Sequence, residues 1–433
     1  MKQTFVLVVA AFALLAGPSH AGTVPGQYIV VLKDGANSHA AAQRARKLGG
    51  DVFAEYGVAL HGYAARLSDS QLASVEADPS VQFVSSDGTA EVAGDVTTIV
   101  PQIVPNYIDR IDGELSSTVS GDGTGSVDVN IGVVDTGVDL SNPDLNVVGG
   151  TNCIDPKKSY QDDNLHGTAI SGMLAAEDNG FGLVGIAPGA RLWEAKSFDK
   201  HASGKWSSII CGIDWVTATR TDADPTNDIV VANGSFRGFG SDDGNCGRTN
   251  DDPVHLAICN SVAAGVTWVV AAGNDVQDIQ NIIPASYDEV LTATAMGDHD
   301  GKPGGFGTSP FSSPTYCAQQ PDDTAAFFSN FATLPSDEAH TIAAPGLCLL
   351  LYVLNGDLAV ESGTSGAAPL ISGTIALCIV DDRCKGTPGD VMRTVLSDAE
   401  RYNHAHQGYG FSGDPLRPID GKYFGYLIRT APY

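Results

Sequence analysis

Positively charged side chains are scarce in this chain of 433 residues, which holds 24 Lys and Arg against 51 Asp and Glu. The formal net charge is therefore -27. A nucleic-acid-binding protein needs a basic surface to neutralise phosphates, and so few cations cannot build one. The same shortage argues against docking on an anionic lipid surface. We expect neither nucleic acid nor a membrane among the partners. Because 43% of the residues are hydrophobic, we do expect a folded chain.

Long apolar runs are missing after the first residues. Lys2 precedes an apolar run from Phe5 to Ala16, and the small residues of Ser19-His20-Ala21 end the segment. Such a run spans only about 18 Å as a helix, which is too short for a bilayer core. A secretory signal peptide at residues 1–21 fits this layout, and a membrane anchor is the alternative. We expect a secreted, extracellular protein.

No cysteine lies before residue 153, and none of the eight forms a CxxC pair. An even number in an exported chain favours four disulfides over free thiols, with a metal cluster as the alternative. The pairing stays open from sequence alone. The two shortest loops are the simplest guesses, and the other two pairs follow by elimination. The expected pairs are Cys246–Cys259, Cys378–Cys384, Cys153–Cys211 and Cys317–Cys348.

Residues 27–92 lack both cysteine and any cluster of reactive side chains. The pattern of β-branched runs, an Ala-rich stretch and a capping box at Ser68 and Gln71 predicts alternating strands and helices. The predicted elements are strand 27–33, helix 38–48, strands 51–56 and 60–67, helix 68–77 and strand 81–84. This βαββαβ order is a ferredoxin-like layout. We expect residues 87–100 to be a linker, and the domain to be either a free-standing module or a removable pro-segment.

Four polar side chains stand at the end of a buried strand or at the start of an apolar helix. Asp135 and Asn274 follow the buried strands 129–134 and 267–271, while His166 and Ser365 begin apolar helices. In open α/β sheets, sites form at the carboxyl ends of the strands. We therefore expect these side chains to meet.

The four residue types suit acyl transfer. A Ser hydroxyl becomes a nucleophile when an imidazole takes its proton, and a carboxylate orients that imidazole. A side-chain amide and a backbone N–H at a helix start can stabilise the resulting oxyanion.

At these residues the chain resembles the subtilisin-like serine protease family, or subtilases. The matching motifs are Asp135-Thr136-Gly137, His166-Gly167-Thr168, Ala271-Ala272-Gly273-Asn274 and Gly363-Thr364-Ser365. The resemblance covers most of residues 100–400, and residues 27–92 resemble the family's inhibitory propeptide. It implies a doubly wound, mostly parallel α/β sheet preceded by the βαββαβ prodomain. The implied parts are a signal peptide at 1–21, a propeptide at 22–93 and a catalytic domain at 94–433.

The resemblance also implies roles for single residues. Asp135 would orient the imidazole, His166 would be the general base and then the acid, Ser365 the nucleophile and Asn274 the oxyanion donor. The implied substrate-binding residues are Ser235, Phe236, Arg237, Gly238, Ala272 and Gly273. The implied Ca²⁺ ligands are Gln102, Asp144, Glu177, Asn179, Phe181 and Leu183, and an ordinary glycine turn is the alternative there. No organic cofactor is implied.

Three positions depart from the family pattern. Ala169 replaces a second His in the helix after His166, and Gly366 replaces the Met after the nucleophile. We expect Gly366 to loosen the packing behind Ser365 and to make the enzyme tolerant of mild oxidants. Arg237 replaces a small residue at the primary pocket. It either narrows that pocket, reaches an acidic side chain or points to solvent.

The sequence therefore predicts a secreted serine endopeptidase that acts on polypeptides. We expect a monomer, made as a zymogen that cuts itself between about residues 88 and 101 and is held by its own propeptide. Two alternatives remain: an inactive relative that only binds, and a processing protease of narrow specificity. Cleavage preference and natural substrate stay open.

Overall fold

The structure is a computed structural model that describes residues 23–92, 95–98 and 104–433. The expected signal peptide and Gln102 lie outside the described residues. The strands are β1 (Thr23–Leu32), β2 (Asp51–Tyr56), β3 (Gly62–Arg66), β4 (Val81–Val92), β5 (Asp95–Thr98), β6 (Asn130–Asp135), β7 (Val147–Asn152), β8 (Arg191–Lys196), β9 (Ser203–Lys205), β10 (Ile229–Gly234), β11 (Phe236–Phe239), β12 (Thr267–Ala271), β13 (Ile282–Ile283), β14 (Leu291–Gly297), β15 (Thr324–Ala325), β16 (Thr341–Leu347), β17 (Leu349–Tyr352) and β18 (Leu358–Ser362). The α-helices are α1 (Ser38–Lys47), α2 (Asp69–Glu76), α3 (Asn106–Arg110), α4 (His166–Ala175), α5 (Trp206–Ala218), α6 (Pro253–Ala263), α7 (Thr315–Gln319), α8 (Pro335–Glu338), α9 (Thr364–Val380) and α10 (Pro388–Ala405).

Residues 23–92 form the N-terminal domain, and its predicted βαββαβ order is confirmed. Strand β1 pairs antiparallel with β3 and β4, and β2 pairs with β3. The predicted capping box is present, because the Ser68 N–H donates to Gln71 Oε1 at 2.8 Å. The core is small and includes Ala41 and Ala45 of α1 and Tyr63 of β3.

Residues 104–433 form the large domain, which is built on parallel strands in the order β16-β14-β12-β10-β6-β8-β7. Successive residues of β6 face opposite sides of this sheet. Val133 packs in the same core as α4 and α9, and Val134 packs with α5 and α6. Helices therefore cover both faces, and the predicted doubly wound α/β architecture is confirmed.

The stretch predicted as a linker is largely strand. Strand β4 continues to Val92 and leaves the N-terminal domain to pair antiparallel with β9 and β11 of the large domain. Strand β5 then pairs antiparallel with β18. Sequence reasoning missed this because the partners of β4 and β5 lie more than a hundred residues further along the chain. The connection is thereby bound into the large domain on both sides of residues 93–94.

All four expected disulfides are present: Cys153–Cys211, Cys246–Cys259, Cys317–Cys348 and Cys378–Cys384. The C-terminal stretch packs on the large domain, with Leu427 and Ile428 fully buried. It does so through single bridges, Tyr423 to Ala332 and Leu427 to Ala343, and not as a strand. Among the described residues, no helix is long and apolar enough to cross a membrane.

Candidate active site

Asp135 and His166 are in direct contact. Asp135 ends β6, and His166 begins α4. The His166 Nδ1 atom lies 2.8 Å from Asp135 Oδ1 and 3.0 Å from Oδ2. Both side chains are buried. A carboxylate on Nδ1 leaves Nε2 as the nitrogen that can exchange a proton with another group.

The turn that holds His166 is organised by a second buried carboxylate, Asp162, which sequence reasoning missed. Asp162 accepts hydrogen bonds from the hydroxyls of Thr136 and Thr168, at 3.0 and 2.6 Å. The Thr136 hydroxyl in turn accepts from the Gly167 N–H at 2.8 Å. The threonines of both motifs thus join β6 to the start of α4. Each of the two motifs contains a threonine, and these buried hydroxyls were the sequence signal that a nearby acceptor such as Asp162 is needed.

Gly167 is required by close packing. A Cβ at this position would lie 2.0 Å from the Gly137 carbonyl oxygen. The glycine therefore lets α4 approach the end of β6, which brings His166 to Asp135.

Ser365 is the second residue of α9 and is fully buried. Its carbonyl oxygen accepts a hydrogen bond from the Ser235 hydroxyl at 2.9 Å. Neither Ser365 Oγ nor His166 Nε2 has a hydrogen-bond partner among the described residues. Both atoms are buried, and neither is committed to a hydrogen bond with another described group.

Asn274 follows β12 and contacts the residue before Ser365. Its Oδ1 accepts hydrogen bonds from the N–H and the hydroxyl of Thr364, both at 2.9 Å. These two bonds fix the amide plane and leave the Nδ2 end as the donor. The structure therefore brings all four predicted catalytic residues to one end of the sheet.

A buried asparagine, Asn330, shapes the segment around Asn274, and sequence reasoning missed it. The Asn330 N–H donates to the Gly273 carbonyl, and Nδ2 donates to the Ala272 carbonyl, both at 2.9 Å. Gly273 has a φ of 100°, which favours glycine. A Cβ there would lie 2.5 Å from Asn330 Nδ2.

The predicted substrate-binding residues lie along this end of the sheet. Ser235 bridges Asn233 and Ser365, and Phe236 is buried against the Phe198 ring. At Gly238 a Cβ would lie 2.3 Å from the Trp206 ring, so glycine permits that contact.

Arg237 does not point to solvent. Its Nη2 forms an ion pair with Asp275 Oδ1 at 2.8 Å, and its side chain is 14% exposed. A Cβ on Gly273 would lie 2.9 Å from Arg237 Cδ, so the side chain passes directly over that residue. Of the three expectations for Arg237, contact with an acidic side chain is confirmed.

Burial and charge act in opposite directions on His166. Burial alone would lower the pKa of the imidazole, but the carboxylates of Asp135, Glu361 and Asp162 raise it, to about 9. Glu361 is the carboxylate of these three that lies on the Nε2 side of the ring, where its Oε1 is 3.6 Å from His166 Nε2. Glu361 is not among the residues that were predicted from the sequence.

The predicted cation ligands within the described residues lie together. Asp144 is fully buried and accepts hydrogen bonds from Asn179 Nδ2 at 2.8 Å and from the Tyr352 hydroxyl at 2.7 Å. Burial raises the pKa of Asp144 to about 6. Asn179 Nδ2 also reaches Glu177 at 3.3 Å, and the loop continues through Phe181 to Leu183. A buried carboxylate beside an amide and a turn of backbone carbonyls is an oxygen donor set that fits Ca²⁺.

Other acidic groups outside this set come close enough to hold a metal ion, as at Asp298, Asp300 and Asp322. Asp298 also pairs with the buried Arg110 at 3.6 Å.

The packing behind Ser365 is not loose, so the expectation that Gly366 loosens it is wrong. A Cβ at Gly366 would lie 2.4 Å from Leu349 Cδ1 and 3.4 Å from Met173 Cε. The leucine of β17 fills the space that a side chain would take.

Comparison with known proteins agrees with this geometry. The profile of the subtilase family matches residues 126–412, and that of peptidase inhibitor I9 matches residues 27–93. Subtilisin E from Bacillus subtilis (strain 168) is 26% identical over 383 residues, which is 87% of this chain and 86% of that protein. A thermostable alkaline protease from Halalkalibacterium halodurans is 28% identical over 413 residues, which is 95% of this chain and 97% of that protein.

A solved structure shares the fold. The crystal structure of a cold adapted subtilisin-like serine proteinase superimposes with a TM-score of 0.51 and 22% identity, over 70% of this chain and 88% of that chain. Since the subtilase profile spans well over half of the residues, the family is established. The chain belongs to the subtilase family of serine endopeptidases and carries a propeptide domain of the inhibitor I9 type.

Proposed function

We propose that this subtilase is a secreted endopeptidase that hydrolyses peptide bonds through Asp135, His166 and Ser365. The contact of Asp135 with His166 Nδ1, at 2.8 and 3.0 Å, is the observation that carries the proposal. It holds the tautomer in which Nε2 accepts a proton, and it stabilises the imidazolium that forms.

The proposed reaction uses these contacts. Ser365 Oγ attacks the substrate carbonyl carbon as His166 Nε2 takes the hydroxyl proton. The oxyanion is stabilised by Asn274 Nδ2, whose amide is oriented by Thr364, and by the Ser365 N–H at the start of α9. His166 next gives its proton to the leaving amine. In the second half of the reaction, water attacks the acyl-enzyme as His166 takes its proton. His166 then returns the proton to Ser365 Oγ, and the acid product leaves.

The substrate chain is proposed to add a strand beside β11, as β4 does in this structure. Ser235, Phe236, Arg237 and Gly238 would then form one wall of the cleft, and Ala272 and Gly273 another. The Arg237 side chain passes over Gly273 and forms an ion pair with Asp275. We propose that it restricts the primary pocket to small side chains.

The chain is proposed to cut its own connection between the two domains. Val92 is opposite Phe236 in the register of β4 with β11, and Asp95 is opposite Ser362 in the register of β5 with β18. Ser365 is three residues after Ser362, so the peptide bonds between Val92 and Asp95 are the candidates. The proposed division into a signal peptide at 1–21, a propeptide at 22–93 and an enzyme at 94–433 agrees with this register.

A Ca²⁺ ion is proposed as a structural cofactor. Asp144, Asn179 and the carbonyls of Glu177, Phe181 and Leu183 would hold it, and Gln102, outside the described residues, would complete the set. When bound, the ion would supply positive charge to the buried Asp144 carboxylate.

A serine-directed fluorophosphonate tests the assignment of the nucleophile. We expect the wild-type protein to be labelled at Ser365, and Ser365→Ala to be unlabelled. Asp135→Asn should be labelled roughly four orders of magnitude more slowly, because the imidazole loses its orienting carboxylate. Failure of the wild type to react would favour an inactive binding relative. Cleavage of one sequence in a peptide library would favour a narrow processing protease.

A further inference from the structure

A second carboxylate faces the catalytic imidazole from the side opposite Asp135. Glu361 lies on β18, four residues before Ser365, and is 1% exposed. Its Oε1 is 3.6 Å from His166 Nε2. It therefore stands next to the nitrogen that must take the Ser365 proton.

The two carboxylates favour the protonated imidazole. In the imidazolium both ring nitrogens carry a hydrogen, so both can face an acceptor. Asp135 is 2.8 Å from Nδ1, and Glu361 is 3.6 Å from Nε2. An opposite charge within about 4–6 Å stabilises the charged form of a titratable group.

Within the part of the chain that the structure describes, no carboxylate other than Glu361 pairs with Nε2. Asp162, in the loop before α4, already accepts bonds from Thr136 and Thr168. Glu194 on β8 is fully buried, and burial raises its pKa well above its usual range, which disfavours its charged form. Glu361 is thus the carboxylate that distinguishes the Nε2 side of the ring.

We propose that Glu361 is a positioning residue that holds His166 as imidazolium and thereby sets the lower pH limit of activity. This proposal rests on the role of His166 as general base. The base must be neutral to accept the Ser365 proton, so activity rises as the pH increases through the range where the imidazole loses its proton. The raised pKa of His166, at about 9, agrees with this direction.

The first test is the pH profile of kcat/KM for the processed enzyme. Removing the charge in Glu361→Gln should lower the apparent pKa of the acid limb by about one unit or more. On that limb kcat/KM would then rise about tenfold at a given pH. Glu361→Asp keeps the charge, so the apparent pKa of its acid limb should stay close to the wild-type value.

Asp163→Asn is the matched control. It removes one carboxylate from the loop that leads to His166, and that carboxylate pairs with Lys196 and not with the imidazole. Its acid limb should stay where the wild-type limb lies. An acid limb unchanged in Glu361→Gln, or moved equally in Asp163→Asn, would overturn the proposal.

The second test needs no activity. His166 is titrated by NMR in the full-length Ser365→Ala chain with and without Glu361→Gln, so failed maturation of the variant does not matter. We expect the imidazole pKa to fall by about one unit or more in the double variant. An unchanged imidazole pKa refutes the role of Glu361. Retained peptidase activity in His166→Ala would instead refute His166 as the general base.

Discussion

The N-terminal domain contains no cysteine, whereas the large domain contains all four disulfides. Net charge differs in the same direction but less sharply. Residues 22–93 hold 5 Lys and Arg against 8 Asp and Glu, and residues 94–433 hold 18 against 43. The small domain is therefore not cross-linked and carries little net charge, whereas the large domain is cross-linked and acidic. This difference agrees with the proposal that the small domain is removed and the large one persists.

The contact between the two domains has an apolar part, in which side chains of β1 and β4 share one buried hydrophobic cluster with α5, and a polar part. Asp87 of the N-terminal domain accepts bonds from the N–H and hydroxyl of Ser207 at the start of α5, at 3.1 and 2.7 Å. Asp214 of α5 accepts from the N–H groups of Val58 and Ala59. The small domain thus gains hydrogen bonds from the large one that it cannot make alone.

Loss of a disulfide should have the largest effect, and chiefly on the large domain. Cys153 and Cys211 close a loop of 58 residues, so replacing both with Ala should cost about 4 kcal/mol of unfolding free energy. The check is denaturant unfolding of the Ser365→Ala chain followed by tryptophan fluorescence. All four tryptophans lie in the large domain.

The control is the disulfide Cys378–Cys384, whose partners are only six residues apart. Replacing both cysteines with Ala should cost only about 2 kcal/mol of unfolding free energy. Equal losses from both pairs, or an equally large fall in hydrogen-exchange protection of β1 and β3, would contradict the comparison.

An intermediate effect is expected at the domain contact. Asp214→Ala leaves the N–H groups of Val58 and Ala59 without their acceptor, and hydrogen bonds to a charged group contribute about 1.5–3 kcal/mol. Release of the cut propeptide should then be roughly 10–100-fold faster, measured as a shorter lag before activity. Asp222→Ala removes an exposed acid shortly after α5 and should leave the lag unchanged. An identical lag in both variants would show that this contact does not hold the propeptide.

The smallest effect concerns pH and Ca²⁺. Burial raises the folded-state pKa of Asp144 to about 6, so the folded chain binds more protons than the unfolded one between the two pKa values. In a chelator, stability of the large domain should therefore fall as the pH rises from about 4 to about 6. Added Ca²⁺ should restore a few degrees of Tm above that range.

Asp144→Asn should remove both the pH effect and the response to Ca²⁺. A response to Ca²⁺ that persists in this variant would place the ion elsewhere in the molecule.

Local patterns in the sequence were sufficient for most elements of the N-terminal domain and for the four proposed catalytic positions. The capping box at Ser68 and the strand ends at Asp135 and Asn274 are short-range signals, and each was predicted. Glu361, Asp162 and Asn330 were missed because their contacts join residues that are far apart in the sequence or lie in unrelated turns. These contacts form only when the folded sheet brings the turns together, so no local pattern predicts them.

The extent of β4 was missed for the same reason. Residues 87–92 are polar and look like a linker, yet their partners in β9 and β11 make them a strand. Strand formation there depends on the partner edge and not on propensity.

The most direct test of the account is the N-terminus of the processed chain, measured by intact mass for the wild type and for Ser365→Ala. The account predicts a wild-type enzyme that begins at residue 93, 94 or 95, and a Ser365→Ala chain in which this connection is intact. A wild-type chain cut outside residues 92–95, or a Ser365→Ala chain cut at the same bond, would contradict it.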